Sequence, residues 1–523
     1  MVDQHSSGTV SPNAANWILA TLVVAAMVPG IVALRGLEWP SDPDGFRDIA
    51  IAQAIQDGRG LADPHYAGER AWYSPLVPGV VALMSTMTGA EIPATFVQLG
   101  PWLNALAPIA FFVFVRRLVG LTPSVFATVA FLFLPGRPPV WASATYTPWL
   151  FPSVTAQAVL YATLATWTGT PEHTTPGRSP IWRVSLTGLL LGATFWAHSG
   201  AAVFAAGVMF LTRPKAAFPV ALVASVVVSP FLVPLFLEYR LGVLNRAPGT
   251  WHHEPATLIA VLLPSFRVSD ILHLAAAVAG TVWIRRHGSA QARKILVAWA
   301  TSAGLLFTSA LVAERVQWWP TLVPAFHFFF LLRALKWVCA GCGVAAAVRW
   351  LAVVGSERTR VGSYAPLIAP CLALFLAAAL YPRYIGREAH ARARADSVRV
   401  AQSEVPATCR WIRQNTAVDS VVLASDDDSL RIVGPAGRRV VSIGAPFANI
   451  YVSPTTREAG RNRMFEALVA GDVPAFVRLA REFGVTHVLA RDDLATAIVA
   501  RRVTSLEAVF QADRVTLFTV RPQ

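Results

Sequence analysis

Apolar stretches of membrane length or near it recur through the first three-quarters of the chain. They fall at about 16–36, 95–115, 121–135, 151–169, 184–197, 199–212, 216–237, 271–284, 295–313, 330–354 and 362–381. A helix needs roughly 20 apolar residues to cross the hydrocarbon layer. Several of these runs are short, so the pattern predicts about eleven spans, with a range of 11 to 13. A further run, "PLVPGVVALMSTMTG" at 75–89, is short and interrupted by proline, and it reads as a helix lying on a membrane surface. The run from Trp17 to Leu34 has no small-residue cleavage site before the polar stretch that follows. It is expected to be an uncleaved first membrane helix.

From about residue 400 the period changes. "CRWIRQNTAVDSVVLAS" reads as a helix and then a strand, and "RRVVSI", "VTHVLA" and "RVTLFTV" read as further strands. "DVPAFVRLAREFG" reads as a helix ending at Gly484. The expected organisation is a membrane domain over 1–384, with an external loop at 37–74, and a soluble α/β domain over 385–523. No solenoid-type repeat is present.

Composition sharpens this picture. The 523 residues are 54% hydrophobic and 14% charged, and the mean hydropathy is +0.50. A polytopic membrane protein needs that balance, because charge is costly in lipid. The formal charge of +14 does not point to nucleic acid, since no basic module interleaved with aromatics is present. The basic residues instead mark turns between spans: Arg116 and Arg117, Arg178 and Arg183, Arg213 and Lys215, Arg285, Arg286, Arg293 and Lys294, Arg358 and Arg360. A cytoplasmic N-terminus puts all of these inside. It leaves the α/β domain outside, together with the five-arginine segment 383–399, which suits anionic lipid or a lipid phosphate. The four cysteines imply no disulfide framework, and "CAGC" at 339–342 reads as small-residue helix packing.

The chemistry gathers after the first span. In "SDPDGFRDIAIAQAIQDGRG" at 41–60, Asp42, Asp44, Asp48 and Asp57 lie within sixteen residues. Asp48 and Asp57 read as solvated or capping residues around a helix at about 46–56. Asp42 and Asp44 flank the stiff Pro43 at the mouth of the membrane domain. A carboxylate there can take a proton from a hydroxyl or hold a divalent cation through hard oxygen ligands. Sugar transfer to a hydroxyl needs such a base, and it needs cationic help for a leaving phosphate.

Other polar groups are candidates for donor or acceptor contact. His252, His253 and Glu254 lie in the long external loop 238–270. Arg240, Arg246, Arg267 and Arg315 lie near the external surface, where a phosphate needs a cation. His198, His327 and Arg333 lie at or near the outer ends of spans. "SDDDSL" at 425–430 reads as a polar turn with a helix cap.

The order of one membrane helix, the acidic stretch with "DGF" and "IQDGRG", the aromatic "HYAGERAWYSPL" and then an apolar surface helix resembles the first external loop of the GT-C integral-membrane glycosyltransferases. That superfamily includes protein O-mannosyltransferases, lipid A aminoarabinose transferases, bacterial oligosaccharyltransferases and mycobacterial arabinosyltransferases. The resemblance implies a GT-C fold: a polytopic α-helical membrane protein with a C-terminal extracytoplasmic α/β domain. It implies that the loop acid is a catalytic base or metal ligand, a role falling on Asp44 with Asp42 as the rival. A divalent cation (Mg, Mn or Ca) is a candidate cofactor. The second external loop, "PGRPPVWASATYTPW", carries no acid, and the C-terminal domain has one tryptophan, Trp411. Both depart from the oligosaccharyltransferases, and transfer of one sugar from a polyprenyl-phosphate donor to a cell-envelope glycan, lipid or protein fits better. A lipid-linked glycan flippase and a non-catalytic membrane scaffold are the alternatives.

Overall fold

The computed structural model describes residues 10–134, 146–169, 181–250, 268–320, 323–358, 365–501 and 503–521. In chain order, the helices of the apolar part are α1 (Pro12–Leu34), α2 (Pro43–Gln56), α3 (Leu76–Thr88), α4 (Ile92–Val119), α5 (Leu121–Phe133), α6 (Pro152–Thr168), α7 (Ile181–Ala197), α8 (Ser199–Thr212), α9 (Pro214–Tyr239), α10 (Val268–His287), α11 (Ala290–Arg315), α12 (Phe326–Arg358) and α13 (Ala365–Ala401). Each of the eleven apolar runs falls on one of these helices. Among the described residues, six helices are long and apolar enough to cross a membrane: α1, α4, α9, α11, α12 and α13. The run at 75–89 is the helix α3, with Val77, Val81 and Ala82 buried and Leu83 and Met87 exposed.

The chain forms two compact units. The first comprises residues 1–35, 100–230 and 252–391. Its centre is aromatic: Phe111 stacks on Phe131 with centroids 4.6 Å apart, and Tyr161 and Trp299 pack around them. The buried Trp299 indole N–H donates to the Leu331 carbonyl at 2.9 Å, because a polar atom inside a helix bundle needs a partner. The "CAGC" segment packs as small residues allow. A Cβ on Gly280 of α10 would fall 1.8 Å from the Cys339 carbonyl oxygen, and one on Gly343 of α12 would fall 2.0 Å from that of Ala276. The backbones of α10 and α12 therefore touch where side chains are absent.

The second unit comprises residues 36–99, 231–251 and 392–523. Beyond α2 and α3 it holds α14 (Glu404–Asn415), α15 (Pro454–Ala470), α16 (Val473–Phe483) and α17 (Asp492–Ala500). Its strands are β1 (Val421–Leu423), β2 (Arg439–Val440), β3 (Val485–Arg491), β4 (Leu506–Ala512) and β5 (Val515–Val520). The sheet order is β2-β1-β3-β5-β4. β1 runs parallel to β2 and β3, while β5 is antiparallel to β3 and β4. One apolar cluster holds Phe46 and Tyr66 with Val405, Ile412, Val422, Val440 and Leu517. A second holds Leu423, Met464, Phe476, Val488 and Phe518. Alternate residues such as Val422 and Leu423 thus serve opposite faces of the sheet. The segment after the first span is part of this core through Phe46 and Tyr66.

Candidate active site

The start of α2 is built by its own sequence. Asp42 is the N-cap, and its Oδ1 accepts a hydrogen bond of 3.0 Å from the Asp44 N–H. That satisfies one of the N–H groups a helix start leaves unpaired. Pro43 follows in the first turn, where an N–H is not needed. Asp44 also lies in the first turn, where the helix dipole favours a carboxylate. At Gly45 a Cβ would fall 2.7 Å from the Pro40 Cβ, so a side chain there would force α2 away from Pro40. Phe46 is 1% exposed and lies against Trp39, with ring centroids 6.2 Å apart. The helix thus begins earlier than the sequence suggested, and its cap is Asp42 and not Asp48.

Arg47 folds back over this turn. Its Nη1 donates to Asp44 Oδ1 at 2.9 Å. Its Nε and Nη2 donate to Asp48 Oδ1 at 3.1 and 3.0 Å. The guanidinium carbon lies 3.7 Å from the Tyr73 ring centroid, a cation–π contact. The side chains of Arg47 and Asp48 are 7% and 1% exposed, whereas that of Asp44 is 46% exposed. Asp48 is therefore a buried ion-pair partner and not the solvated residue expected, and its Oδ2 has no hydrogen-bond partner among the described residues. Asp57 does lie at the C-terminal end of α2 before Gly58, as a turn residue, and pairs with Arg413 at 3.4 Å.

Burial sets the electrostatics. It pushes the Asp48 carboxyl up to about 7, with the Arg47 charge pulling the other way. Burial first, and the Asp44 charge second, push Asp42 up to about 6, against the Asp44 N–H bond and the charges of Arg47 and Arg394. Burial works against the Arg47 charge, yet Asp48, Tyr73 and Asp44 together hold that guanidinium above its ordinary value. The result is one half-exposed carboxylate, Asp44, with one oxygen fixed by a buried cation, beside a second carboxyl with a raised pKa. Such a pair can take a proton from a hydroxyl. Among the described residues no three His, Cys, Asp or Glu side chains converge to hold a metal ion. Asp44 and Asp48 each give an oxygen to Arg47, whose charge lies between them.

The stretch that presents Tyr73 is itself anchored. Asp63 Oδ1 accepts the N–H groups of His65 and Tyr66 at 2.8 and 2.9 Å. Its Oδ2 accepts from the Asn449 side chain at 2.8 Å, and Asn449 also donates to the Arg70 carbonyl at 3.0 Å. Arg457 covers the Tyr66 ring at 4.0 Å.

The other expected residues separate into two groups. His252, His253, Glu254 and Arg267 lie outside the described residues, as does most of the second external loop. His198, in the first unit, is buried at the N-terminal end of α8 and stacks on His327 at 4.6 Å. His327 in turn lies against Phe326 and Phe330, and Arg333 covers the Phe329 ring at 4.6 Å. Arg315 is exposed at the C-terminal end of α11. In "SDDDSL", Ser425 caps a short helical turn, and Asp428 is bound by Arg491 at 2.6 Å. The acids of that cluster are ion-paired, Asp426 to Arg461 and Asp427 to Arg431.

Solved structures share this fold. ArnT from Cupriavidus metallidurans, solved bound to undecaprenyl phosphate, matches with a TM-score of 0.56 at 12% identity, over 97% of this chain and 99% of its own. The oligosaccharyltransferase of Archaeoglobus fulgidus in its apo form matches with a TM-score of 0.54 at 13% identity, over 93% of this chain and 71% of its own. The arabinofuranosyltransferase AftD from Mycobacteria matches with a TM-score of 0.54 at 15% identity, over 99% of this chain but 40% of its own. The fold is that of the GT-C glycosyltransferases. No family model matches the sequence, and no curated protein matches it.

Within this GT-C fold, sequence reasoning missed the residues that hold the acids in place. Arg47 sits three residues after Asp44, a spacing that puts both on one helix face. That signal was available. Tyr73 was visible only as part of "WYSPL", and Asn449 carried no local signal, because its partner Asp63 is 386 residues away.

Proposed function

We propose that this chain is an inverting glycosyltransferase that moves a single sugar from a polyprenyl-phosphate donor to a hydroxyl of a cell-envelope glycan, lipid or protein. The observation that carries the reading is Asp44: a half-exposed carboxylate, aimed by the buried Arg47, in a chain with the GT-C fold. Asp44 takes the acceptor hydroxyl proton as that oxygen attacks the anomeric carbon. The bond from that carbon to the donor phosphate breaks, and the lipid phosphate leaves. Attack opposite the leaving group inverts the anomeric centre. Asp42 is the rival base. A divalent cation, if bound, would be held by the free oxygens of Asp42 and Asp44 and would stabilise the leaving phosphate.

The bound lipid of ArnT supports a polyprenyl-phosphate donor. The basic turns between the apolar runs support about eleven spans with a cytoplasmic N-terminus, and with that topology an active site and α/β part on the outer face of a cell membrane. His198 and Arg315, with His252, His253, Glu254 and Arg267, remain candidates for donor or acceptor contact.

The test is transfer of radiolabelled sugar by purified protein in nanodiscs. It uses a panel of polyprenyl-phosphate sugars and an envelope extract, with and without chelator. Wild type should transfer, and folded Asp44→Asn should lose about 10²–10⁴-fold, the usual contribution of a general base. Equal transfer by both would remove Asp44 from the chemistry.

A further inference from the structure

A second cluster in the same unit lies beyond the C-terminal end of α2. The turn "GPAGRR" at 434–439 gathers four guanidinium groups: Arg438 and Arg439 from the turn, Arg413 from α14, and Arg59 from just beyond α2. Two are consumed by the protein. Arg438 donates to the carbonyls of Arg413, Thr416 and Ala436 and to the Thr416 hydroxyl. Arg413 pairs with Asp57 and Gln56. The other two are left over. Arg59 gives only its Nη2, to the Gly437 carbonyl at 3.0 Å. Its Nε and Nη1, and the Nε of Arg439, are buried without a partner among the described residues. Beside them His65 Nε2 is also buried and unpartnered. His65 is kept neutral, down to about 3, by burial and by the charges of Arg59 and Arg47. Its backbone carbonyl accepts the Val440 N–H at 2.8 Å, which fixes it next to Arg439.

Buried guanidinium donors are costly unless an acceptor meets them. Asp57 gives its Oδ1 to Gln53 and Arg413 and leaves its Oδ2 buried without a partner among the described residues, and Asp63 is engaged by His65, Tyr66 and Asn449. Against four guanidinium groups the cluster sets the single carboxylate of Asp57, so positive charge and guanidinium donors remain in excess. We propose that Arg59, Arg439 and His65 form a binding site for a tetrahedral oxyanion, a phosphate or phosphoryl group. Arg suits such a group because its planar donors match two oxygens at once. Arg59 and Arg439 are both partly exposed, and Arg59 is flanked by the exposed Gly58 and Gly60 with φ of +78° and +57°. Arg59 follows the C-terminal end of α2 and Asp44 lies in its first turn, so the two sit at opposite ends of a helix about 20 Å long. The source of the group bound here is a free inorganic anion or a phosphoryl substituent on a long acceptor.

The experiment is calorimetric titration of the purified full chain in nanodiscs, in low-salt buffer, with inorganic phosphate and with glycerol phosphate. It needs no transfer activity. Phosphate should bind saturably, and Arg59→Gln and Arg439→Gln should each weaken binding about tenfold or more, as expected for a lost charged hydrogen bond. Arg521→Gln, at an exposed pair with Glu507, should bind as wild type. Arg439→Lys keeps the charge and loses the Nε donor, and should weaken binding even where the Gln variants fail to fold. Tighter binding of glycerol phosphate identifies an acceptor substituent; equal binding identifies a free anion. Absence of saturable binding, or wild-type affinity in Arg439→Lys and both Gln variants, overturns the proposal.

Discussion

Arg47→Leu separates the structural from the chemical duty of the α2 turn. In the native chain Arg47 makes two hydrogen bonds to Asp48 Oδ1, at 3.1 and 3.0 Å, and lies 3.7 Å from the Tyr73 ring centroid. The Asp48 side chain is 1% exposed, and its other oxygen is already unpaired. Leucine fills much of the space but leaves a buried carboxylate with no partner. Removing one member of a buried ion pair costs about 3–5 kcal/mol. Replacing both members with apolar groups is often close to neutral, so Arg47→Leu with Asp48→Leu should recover most of the loss.

Proton uptake gives a second handle. Burial already raises Asp48 to about 7 with Arg47 present, and without Arg47 it must rise further. A carboxyl whose folded pKa lies above its unfolded value takes up a proton on folding, so its penalty shrinks as pH falls. Each pH unit between the two values is worth about 1.4 kcal/mol. The gap between the single and double variants should therefore close by about 2–3 kcal/mol from pH 7.5 to 5.5. Hydrogen exchange of the peptide 43–56, read by mass spectrometry, reports the local opening of α2 directly. A double variant as open as the single one, or a gap independent of pH, would refute the ion-pair argument. The double variant should still transfer sugar poorly, because Asp44 Oδ1 has lost the donor that aims it.

Asp42→Asn keeps an N-cap of equal quality and removes only the charge. If the ionised carboxyl is needed, wild-type transfer falls as pH drops through about 6, and the variant lacks that acid limb in kcat/KM. Gly45→Ala places a Cβ 2.7 Å from the Pro40 Cβ. It should cost about 1–3 kcal/mol of overpacking, seen as faster exchange in α2. Phe46→Ala empties a core position beside Trp39 and should cost about 3–5 kcal/mol, lowering the thermal midpoint of the purified protein. Asp63→Ala removes the acceptor for two backbone N–H groups and the Asn449 amide. It should loosen residues 61–73 in hydrogen exchange and reduce transfer with Asp44 still present.

Local pattern and long-range packing divided what the sequence could say. All eleven apolar runs lie on helices, because a run of apolar residues is a local property. Which of them cross is less local. α5, α7 and α8 have 13, 17 and 14 residues, short of the roughly 20 that a lone helix needs, while α10 is longer but less apolar. In the α/β part, β1, β2, β3 and β5 matched β-branched runs. β4, "LEAVFQA", has Glu and two Ala among its seven residues, and its pairing with β5 overrides that weak propensity. At the site, "DGF" gave the acid but not the reasons for its neighbours. Gly45 answers to Pro40, and Phe46 to a core completed by Val405 and Leu517 hundreds of residues later. The misreading of Asp48 has the same origin. Next to an arginine, an aspartate looks solvated until the Tyr73 ring closes over that arginine, and only the folded loop brings Tyr73 there. A carboxylate that a polar context leaves ambiguous is thus sorted by what covers its partner. That is why Asp44, whose partner is covered while it is not, is the residue proposed as the base.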